Sequence, residues 1–170
     1  MTIKILGAIL VITGCGGVGL KIAANYKIEE NNLHNLKMIL DFMISELRFR
    51  LTPLPQLSKK ASQLFHNPVG SVFDKFSTEL EKQQHTDPAK CMSVVLESCT
   101  AISPITKSQL ITLGTTLGRF DLDGQIRGVE AVYRECERNL SHLRKNRENR
   151  LRSYQTLGIC AGAALAILFV

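Results

Sequence analysis

Residues 14–19 near the N-terminus, Gly-Cys-Gly-Gly-Val-Gly, match the G-x-G-x-x-G pattern with which dinucleotide-binding proteins approach a pyrophosphate. An apolar run precedes them, and Asp41 lies further on at about the distance at which an acidic residue would bind a ribose. The pattern works only in a turn between a strand and a helix, however, and the residues after Gly19 are patterned for helices throughout. A Rossmann oxidoreductase is therefore disfavoured, and the sequence predicts no cofactor.

Cys15 raises a second kind of chemistry, because Ile12-Thr13-Gly14-Cys15 resembles the signal ahead of a lipid-modified cysteine. Lipidation would put the rest of the chain outside the membrane. The apolar run continues through Ile22, whereas a lipoprotein normally turns polar after its cysteine, and the arginine-rich stretch near the C-terminus would then lie on the wrong side. The sequence favours an unmodified Cys15, and an intact Met1 terminus in a mass spectrum would exclude lipidation.

The other reactive residues do not form a constellation. No two histidines are spaced by three or four, and none lies near a cysteine at ligand spacing: His34, His66, His85 and His142. The five cysteines include no C-x-x-C pair, and three are predicted to be small buried side chains in a reducing cytosol: Cys91, Cys99 and Cys136. A G-x-x-x-x-G-K-[ST] phosphate loop is also missing from the sequence. We therefore expect no enzyme, no catalytic or metal-binding residue and no small-molecule substrate.

The basic charge of the chain points to a membrane. The formal net charge is +6, and the excess is concentrated between Arg138 and Arg152, directly ahead of an uncharged apolar tail. A basic cluster in that position is typical of the cytoplasmic flank of a transmembrane helix. The chain has no Trp and few aromatic residues, which disfavours stacking on bases, so no nucleic-acid partner is predicted.

Both ends of the chain are apolar, and residues 5–20 and 153–170 carry no charged side chain. A helix of about 20 residues spans the hydrocarbon core of a bilayer. The sequence therefore predicts an N-terminal transmembrane helix over residues 1–25, a cytoplasmic helical bundle over 26–153 and a C-terminal transmembrane helix over 154–170. Lys21, Lys27 and the arginine cluster flank the bundle side, which predicts that the bundle faces the cytoplasm.

Small residues recur every four positions in both apolar ends, a spacing that lets two membrane helices approach closely. The partner of this groove is either the other apolar end of the same chain or another subunit, unless glycine and alanine are simply common there. The residues that we expect to pack are Gly19, Gly158, Gly162 and Ala166.

The middle of the chain is patterned for helices throughout. Leucines and Met43 recur at alternating three and four between residues 29 and 50, and Thr52-Pro53-Leu54-Pro55 ends that helix. Asp87-Pro88, Ser103-Pro104 and Asp121 each predict a helix start, and Gly118 predicts a helix end. The longest apolar stripe follows Asp121, and its spacing favours a helix face in the core over a homomeric coiled coil. Its residues are Leu122, Ile126, Val129, Tyr133, Cys136, Leu140 and Leu143. The predicted fold is all-α, an antiparallel helical bundle flanked by two transmembrane helices.

Four ordered segments resemble the stage III sporulation protein AB family of endospore-forming bacteria. They are Lys4–Ala8 in the first apolar run, Thr52–Pro55, the stretch Leu113–Asp121 that leads to Gln125, and Leu157–Gly162 in the apolar tail. The dense glycines between Gly14 and Gly19 depart from the family pattern. The resemblance covers nearly the whole chain.

The resemblance implies a function that periodicity does not. It implies a non-enzymatic platform subunit of the channel complex that joins mother cell and forespore, in the mother-cell membrane around the forespore. Its bundle would resemble the F-type platform domain of type II secretion, with a secretion-type ATPase and other membrane channel subunits as partners. The alternative is a generic membrane-anchored scaffold of a type II secretion-like system outside sporulation. The residues that we expect to contact a partner are Thr52, Pro53, Leu54, Pro55, Leu117, Gly118, Asp121 and Gln125.

Overall fold

The computed structural model describes the backbone of residues 2–65, 68–82, 87–118 and 121–169, and the side chains of those that lie between 25 and 146. This part of the chain forms six helices and no strand. Their bounds are α1 Thr2–Arg50, α2 Leu54–Leu64, α3 Pro68–Glu81, α4 Pro88–Glu97, α5 Pro104–Thr116 and α6 Leu122–Phe169. The prediction of an all-α bundle is confirmed.

The two outer helices are much longer than the four between them. α1 has 49 residues and α6 has 48, so each is about 70 Å long at 1.5 Å per residue. The sequence analysis assigned residues 1–25 and 29–50 to two separate segments, and α1 runs through both as one helix. No proline or glycine stands in Asn25-Tyr26-Lys27-Ile28, so nothing there stops a helix. α6 likewise continues unbroken from the bundle into the apolar tail.

The long helices pair with each other, and the short ones form two hairpins on them. α2 packs against α3 and α4 against α5, while α3 contacts α4 and α5 contacts α6. α1 touches α2, α3, α5 and α6, so it forms the spine of the bundle. The core is continuous and apolar, with its largest fully buried side chains at Phe73, Phe76, Leu33, Leu36, Ile39, Leu40, Met43, Leu57, Met92, Leu110, Leu113 and Leu117.

The stripe of α6 is buried within its own chain. Ile126, Val129, Cys136 and Leu140 belong to the core, and Tyr133 and Leu143 pack partly against it. The core interpretation is therefore confirmed over the coiled-coil alternative for these residues. Leu122 is the exception, since it is exposed at the first position of the helix.

The three predicted helix starts are confirmed, and two of their capping residues make the expected side-chain hydrogen bond. The carboxylate of Asp87 accepts from the amide of Ala89 at 3.1 Å, and that of Asp121 accepts from the amide of Gly124 at 3.0 Å. Ser103 occupies the N-cap position of α5 but makes no capping hydrogen bond. Its hydroxyl instead donates to the carboxylate of Glu29 on α1 at 2.6 Å, a contact that has no signature in the local sequence.

The predicted membrane segments lie outside the part of the chain whose side chains the structure describes. Residues 2–24 and 147–169 are helical in their backbone. In the remaining, fully described part, no helix is both long and apolar enough to cross a bilayer. The packing residues Gly19, Gly158, Gly162 and Ala166 belong to the same two segments, so their prediction stays a prediction.

The G-x-G-x-x-G pattern does not form a dinucleotide-binding turn. Residues 14–19 lie in the middle of α1, where the backbone is helical on both sides. The pattern needs a strand before it and a helix after it, and here a single helix contains it. The Rossmann hypothesis is therefore wrong.

Candidate functional site

Ion pairs between α1 and α6 set the antiparallel register of the two long helices. The guanidinium of Arg144 lies 3.0 Å from the carboxylate of Glu30, and that of Arg48 lies 3.0 Å from Glu130. Between them, the ammonium of Lys37 lies 2.6 Å from Glu137 and 4.9 Å from the ring centre of Tyr133. Each exposed pair contributes at most about 1 kcal/mol, so their value here is in fixing which residues face each other.

This register brings the two predicted contact turns to one end of the bundle. α1 ends at Arg50 and α6 begins at Leu122, on the same side of the Arg48–Glu130 pair. The turn after α1 contains Thr52–Pro55, and the turn before α6 contains Gly118 and Asp121. We call this end the distal end, because the apolar segments leave the bundle at the other one, which we call the proximal end.

The turn between α1 and α2 holds a strained, exposed leucine. Leu51 adopts a φ of 52°, in the left-handed region that costs a residue with a side chain about 1–2 kcal/mol. Its side chain is 64% exposed, and that of Phe49 just before it is 78% exposed. Pro53 and Pro55 restrict the backbone after it, so Leu51 stands on a stiff turn, while Phe49 lies in the last turn of α1.

The buried carboxylate of Glu46 is hydrogen-bonded to the turn between α1 and α2. Glu46 accepts from the Thr52 hydroxyl at 2.8 Å and from the Lys60 ammonium at 3.0 Å, and Arg50 lies 3.2 Å away. The hydrogen bonds from Lys60 and then from Thr52 hold the pKa of Glu46 below its usual value. The network joins α1, the turn and α2, and so fixes the direction in which Leu51 points.

Two of the predicted contact residues are part of the core instead. Thr52 is buried because its hydroxyl serves Glu46, and Leu117 is fully buried under the turn that precedes α6. Both side chains are therefore buried in the folded bundle, and a partner contact by them stays a prediction. Leu54 and Pro55 are half-buried, and Leu54 packs partly against the core.

The turn between α5 and α6 is relaxed. Gly118 takes a φ of 76°, and a Cβ added there would lie 2.9 Å from Cγ of Pro88. Gly118 and Asp121 are exposed, and Gln125 is half-buried. Arg119 and Phe120 between them lie outside the described residues. The described residues of this turn are therefore an exposed glycine and an exposed helix cap.

Two other glycines let helices pack closely. A Cβ on Gly114 would approach Cβ of Met92 to 2.9 Å and Cα of Ala89 to 3.2 Å, so this glycine lets α5 lie directly on α4. Gly128 does the same for α6, where a Cβ would lie 2.7 Å from Cβ of Thr116. Within the Leu113–Asp121 stretch, Gly114 therefore serves helix contact and Gly118 serves the turn.

The charges around the distal end are mixed. Arg48, Arg50 and Arg127 are exposed there, and so are Asp121 and Asp123. A surface with two apolar groups and charges of both signs fits a protein partner better than a polyanion.

The described residues offer no reactive centre. Among them, no group of three or more His, Cys, Asp or Glu side chains comes together. Burial raises the pKa of the Cys136 thiol to about 12 and also raises that of Cys91, so neither is a nucleophile at neutral pH. The predicted burial of Cys91, Cys99 and Cys136 is confirmed.

The sequence analysis missed the residues that stand out most at the distal end. Phe49 lies off the three-four stripe of α1, and Leu51 stands one residue after the helix end, just ahead of a proline-rich stop. Large apolar residues off a core stripe, next to a helix end, are a usable signal for an exposed contact.

The described residues form an all-helical bundle whose distal end exposes Phe49 and Leu51. The chain belongs to the stage III sporulation protein AB family, whose family model matches residues 4–170. The stage III sporulation protein AB of Bacillus subtilis (strain 168) is similar to it, with 24% identity over 172 residues that cover 99% of each chain.

A solved structure of a stage III sporulation protein AB has the same fold. Its TM-score is 0.61 at 18% sequence identity, and the match covers 72% of this chain and 98% of that one. The recognition made from the ordered segments is therefore confirmed, and with it a role in sporulation.

Proposed function

We propose that this chain is a non-enzymatic platform subunit of the channel complex between mother cell and forespore, linking a cytoplasmic ATPase to membrane channel subunits. Residues 1–25 and 154–170 are its two transmembrane helices. It lies in the mother-cell membrane around the forespore, with the bundle in the cytoplasm. The distal end contacts the ATPase, and the apolar segments contact the other channel subunits.

The continuity of the two long helices supports the platform role. α1 and α6 run from the uncharged ends of the chain to the distal end without a helix break. From residue 25 to residue 50 the helix rises about 38 Å. A displacement at the distal end would therefore reach the membrane segments through two rigid helices rather than through a flexible linker.

The single observation that carries the proposal is the exposed pair Phe49 and Leu51. Large apolar side chains on a stiff turn are typical anchors of protein interfaces, and backbone strain is often kept at functional positions. Leu51 combines exposure with strain, since asparagine or glycine would suit its φ of 52° better.

The test compares two leucines of nearly equal exposure. Leu51 is 64% exposed and Leu64, at the end of α2, is 61% exposed. We expect Leu51→Asn to lower co-purification of the ATPase of the same complex from membranes by about tenfold or more, as for the loss of an interface anchor. Leu64→Asn should leave it unchanged. Asparagine tolerates the left-handed region, so Leu51→Asn should keep the fold.

An equal loss in both variants, or in neither, would argue against a contact at the distal end. The same strains report the wider function, because Leu51→Asn should reduce late gene expression in the forespore while Leu64→Asn should not. Normal forespore expression after deletion of the whole gene would sink the proposal. A scaffold outside sporulation has lost its main support, because the chain belongs to a sporulation family.

A further inference from the structure

The loop between α4 and α5 is tied to the part of α1 just after the first apolar segment. Asn32 donates from Nδ2 to the carbonyl of Ala101 at 3.1 Å, and the Ser103 hydroxyl donates to Glu29 at 2.6 Å. Glu29 lies four residues after position 25, or about 6 Å along the helix axis. The loop and the first turn of α5 are therefore held at the level where α1 leaves its apolar segment.

The other long helix reaches the same level. Arg144 pairs with Glu30, so continuing the register by five residues sets position 25 of α1 opposite position 149 of α6. Position 149 lies about one and a half turns before the predicted start of the C-terminal segment at 154. The two apolar segments thus leave the bundle at nearly equal heights, and the α4–α5 loop is beside them.

This proximal end exposes apolar side chains. Ile28 is 50% exposed and Ile105, in the first turn of α5, is 36% exposed. Ile105 also lines a hollow of about 290 Å³ between α1, α5 and α6, together with Asn25, Tyr26, Glu29 and Leu143. Tyrosine is enriched where membrane proteins meet the headgroup layer, and Tyr26 directly follows the predicted first membrane segment.

The charges of the proximal end favour an anionic surface. Lys27 and Lys145 are exposed at this level. Of the nearby carboxylates, Glu30 is paired with the guanidinium of Arg144, whereas Glu29 accepts from the neutral Ser103 hydroxyl and keeps its negative charge. Lys27 and Lys145 together outweigh this one negative charge. Basic side chains close to a membrane are attracted to anionic lipid headgroups.

We propose that the proximal end of the bundle lies on the lipid headgroup layer, with Ile105 and Ile28 entering it and Lys27 and Lys145 facing anionic lipid. The α4–α5 loop is then a third membrane contact beside the two helices. Two helices leaving one face can tilt as a pair, whereas a third contact off their line fixes the tilt. The distal end is thereby held at a set height and orientation. This inference rests on the membrane anchoring of the proposed function.

The chain contains no Trp, so one introduced Trp reports on one position. Full-length Ile105→Trp is reconstituted in vesicles of phosphatidylcholine and phosphatidylglycerol, with and without lipids brominated near the carbonyl region. Ile111→Trp is the matched control, because Ile111 is also an exposed isoleucine of α5 but lies about 9 Å further from the proximal end. Vesicle flotation shows whether each variant is membrane-bound.

We expect brominated lipid to quench Ile105→Trp emission by about half or more, as for a ring at the interface, and to leave Ile111→Trp unchanged. Quenching of Ile105→Trp should weaken when phosphatidylglycerol is omitted. Thr100→Trp, in the exposed α4–α5 loop, gives the same readout should Ile105→Trp not fold.

The outcomes separate the two proposals. A chain that does not float with vesicles refutes the membrane anchoring itself. If the chain floats with the vesicles but aqueous iodide quenches the emission of Ile105→Trp and Ile111→Trp equally, only the headgroup contact is overturned. Position 105 shielded from both iodide and brominated lipid also overturns it, and would show that protein covers this end.

Discussion

The turn between α1 and α2 and the turn between α5 and α6 lie at the same end of the bundle, and each holds a residue at positive φ. Leu51 has a φ of 52° and Gly118 a φ of 76°. Glycine takes this conformation at little cost, whereas leucine is strained in it and here also exposes its side chain. At position 118 the residue type suits the backbone, whereas at position 51 an exposed apolar side chain is kept despite the strain.

Gly118→Ala should have the largest effect on stability. A methyl group at a φ of 76° is strained and would also lie 2.9 Å from Pro88, so we expect unfolding to become easier by about 2 kcal/mol. Urea unfolding of the full chain in detergent, followed by circular dichroism, measures the change. Gly124→Ala, inside the first turn of α6, is the control and should be neutral or slightly stabilising. A cost under about 0.5 kcal/mol at Gly118 would mean that the turn does not need its glycine.

Thr52→Val tests the buried support of the strained turn. It removes the hydroxyl that donates to Glu46 at 2.8 Å while keeping the shape of the side chain. Hydrogen bonds to charged groups contribute about 1.5–3 kcal/mol, and because Lys60 still neutralises Glu46 we expect a loss near the lower value. Thr112→Val, on an exposed face of α5, should change the urea midpoint little. Equal urea midpoints for the two variants would mean that water can replace the Thr52 hydroxyl as hydrogen-bond donor to Glu46.

Asp121→Ala should cost about 1 kcal/mol, because the amide of Gly124 loses the carboxylate that caps α6. Asp121→Ser keeps a capping oxygen and should restore most of the loss. We expect both variants to assemble with the ATPase once folded. If Asp121→Ala keeps its stability but fails to assemble with the ATPase, the turn before α6 is a second contact surface.

Leu51→Gly should act in the opposite direction on stability. It removes the strain at a φ of 52° but adds backbone freedom to the unfolded chain, so we expect a stability between unchanged and about 1 kcal/mol higher. Co-purification of the ATPase should nevertheless fall. A variant that folds at least as well and binds less would show that the strain is kept for the contact, whereas unchanged binding would break the comparison between the two turns.

The smallest effect concerns pH. Lys60 and Thr52 hold the pKa of Glu46 below its ordinary 4.5, so the ionised carboxylate stabilises the fold above that pH and loses this as pH falls through its lower folded value. The stability gap between the parent chain and Glu46→Gln should therefore be largest near neutral pH and shrink below about 4.5. Urea midpoints across that range measure it, and a gap independent of pH would contradict the proposed network.

Much of the fold is set by local rules. The Asp87 cap, the Asp121 cap and the glycine helix end at 118 were all predicted, because each depends on a few neighbouring residues. Ser103 looked like a similar cap, yet its hydroxyl is taken by Glu29, a residue far away in the sequence. The candidate contact surface was predicted in part, since Pro53, Gly118 and Asp121 are exposed while Thr52 and Leu117 are buried.

The sequence by itself determined that the bundle is all-helical, where most helices begin and end, and that both ends of the chain lack charge. Periodicity and capping act within one or two turns, so these features can be read locally. Only the tertiary structure decided that residues 52–55 lie at the same end of the bundle as Gly118 and Asp121, and that Leu51 rather than Leu54 is the exposed leucine of its turn. That outcome depends on the register of two helices whose pairing residues, such as Glu30 and Arg144, are separated by most of the chain. Side-chain packing across such distances has no local signature, because each stripe specifies that a face is buried but not which helix covers it.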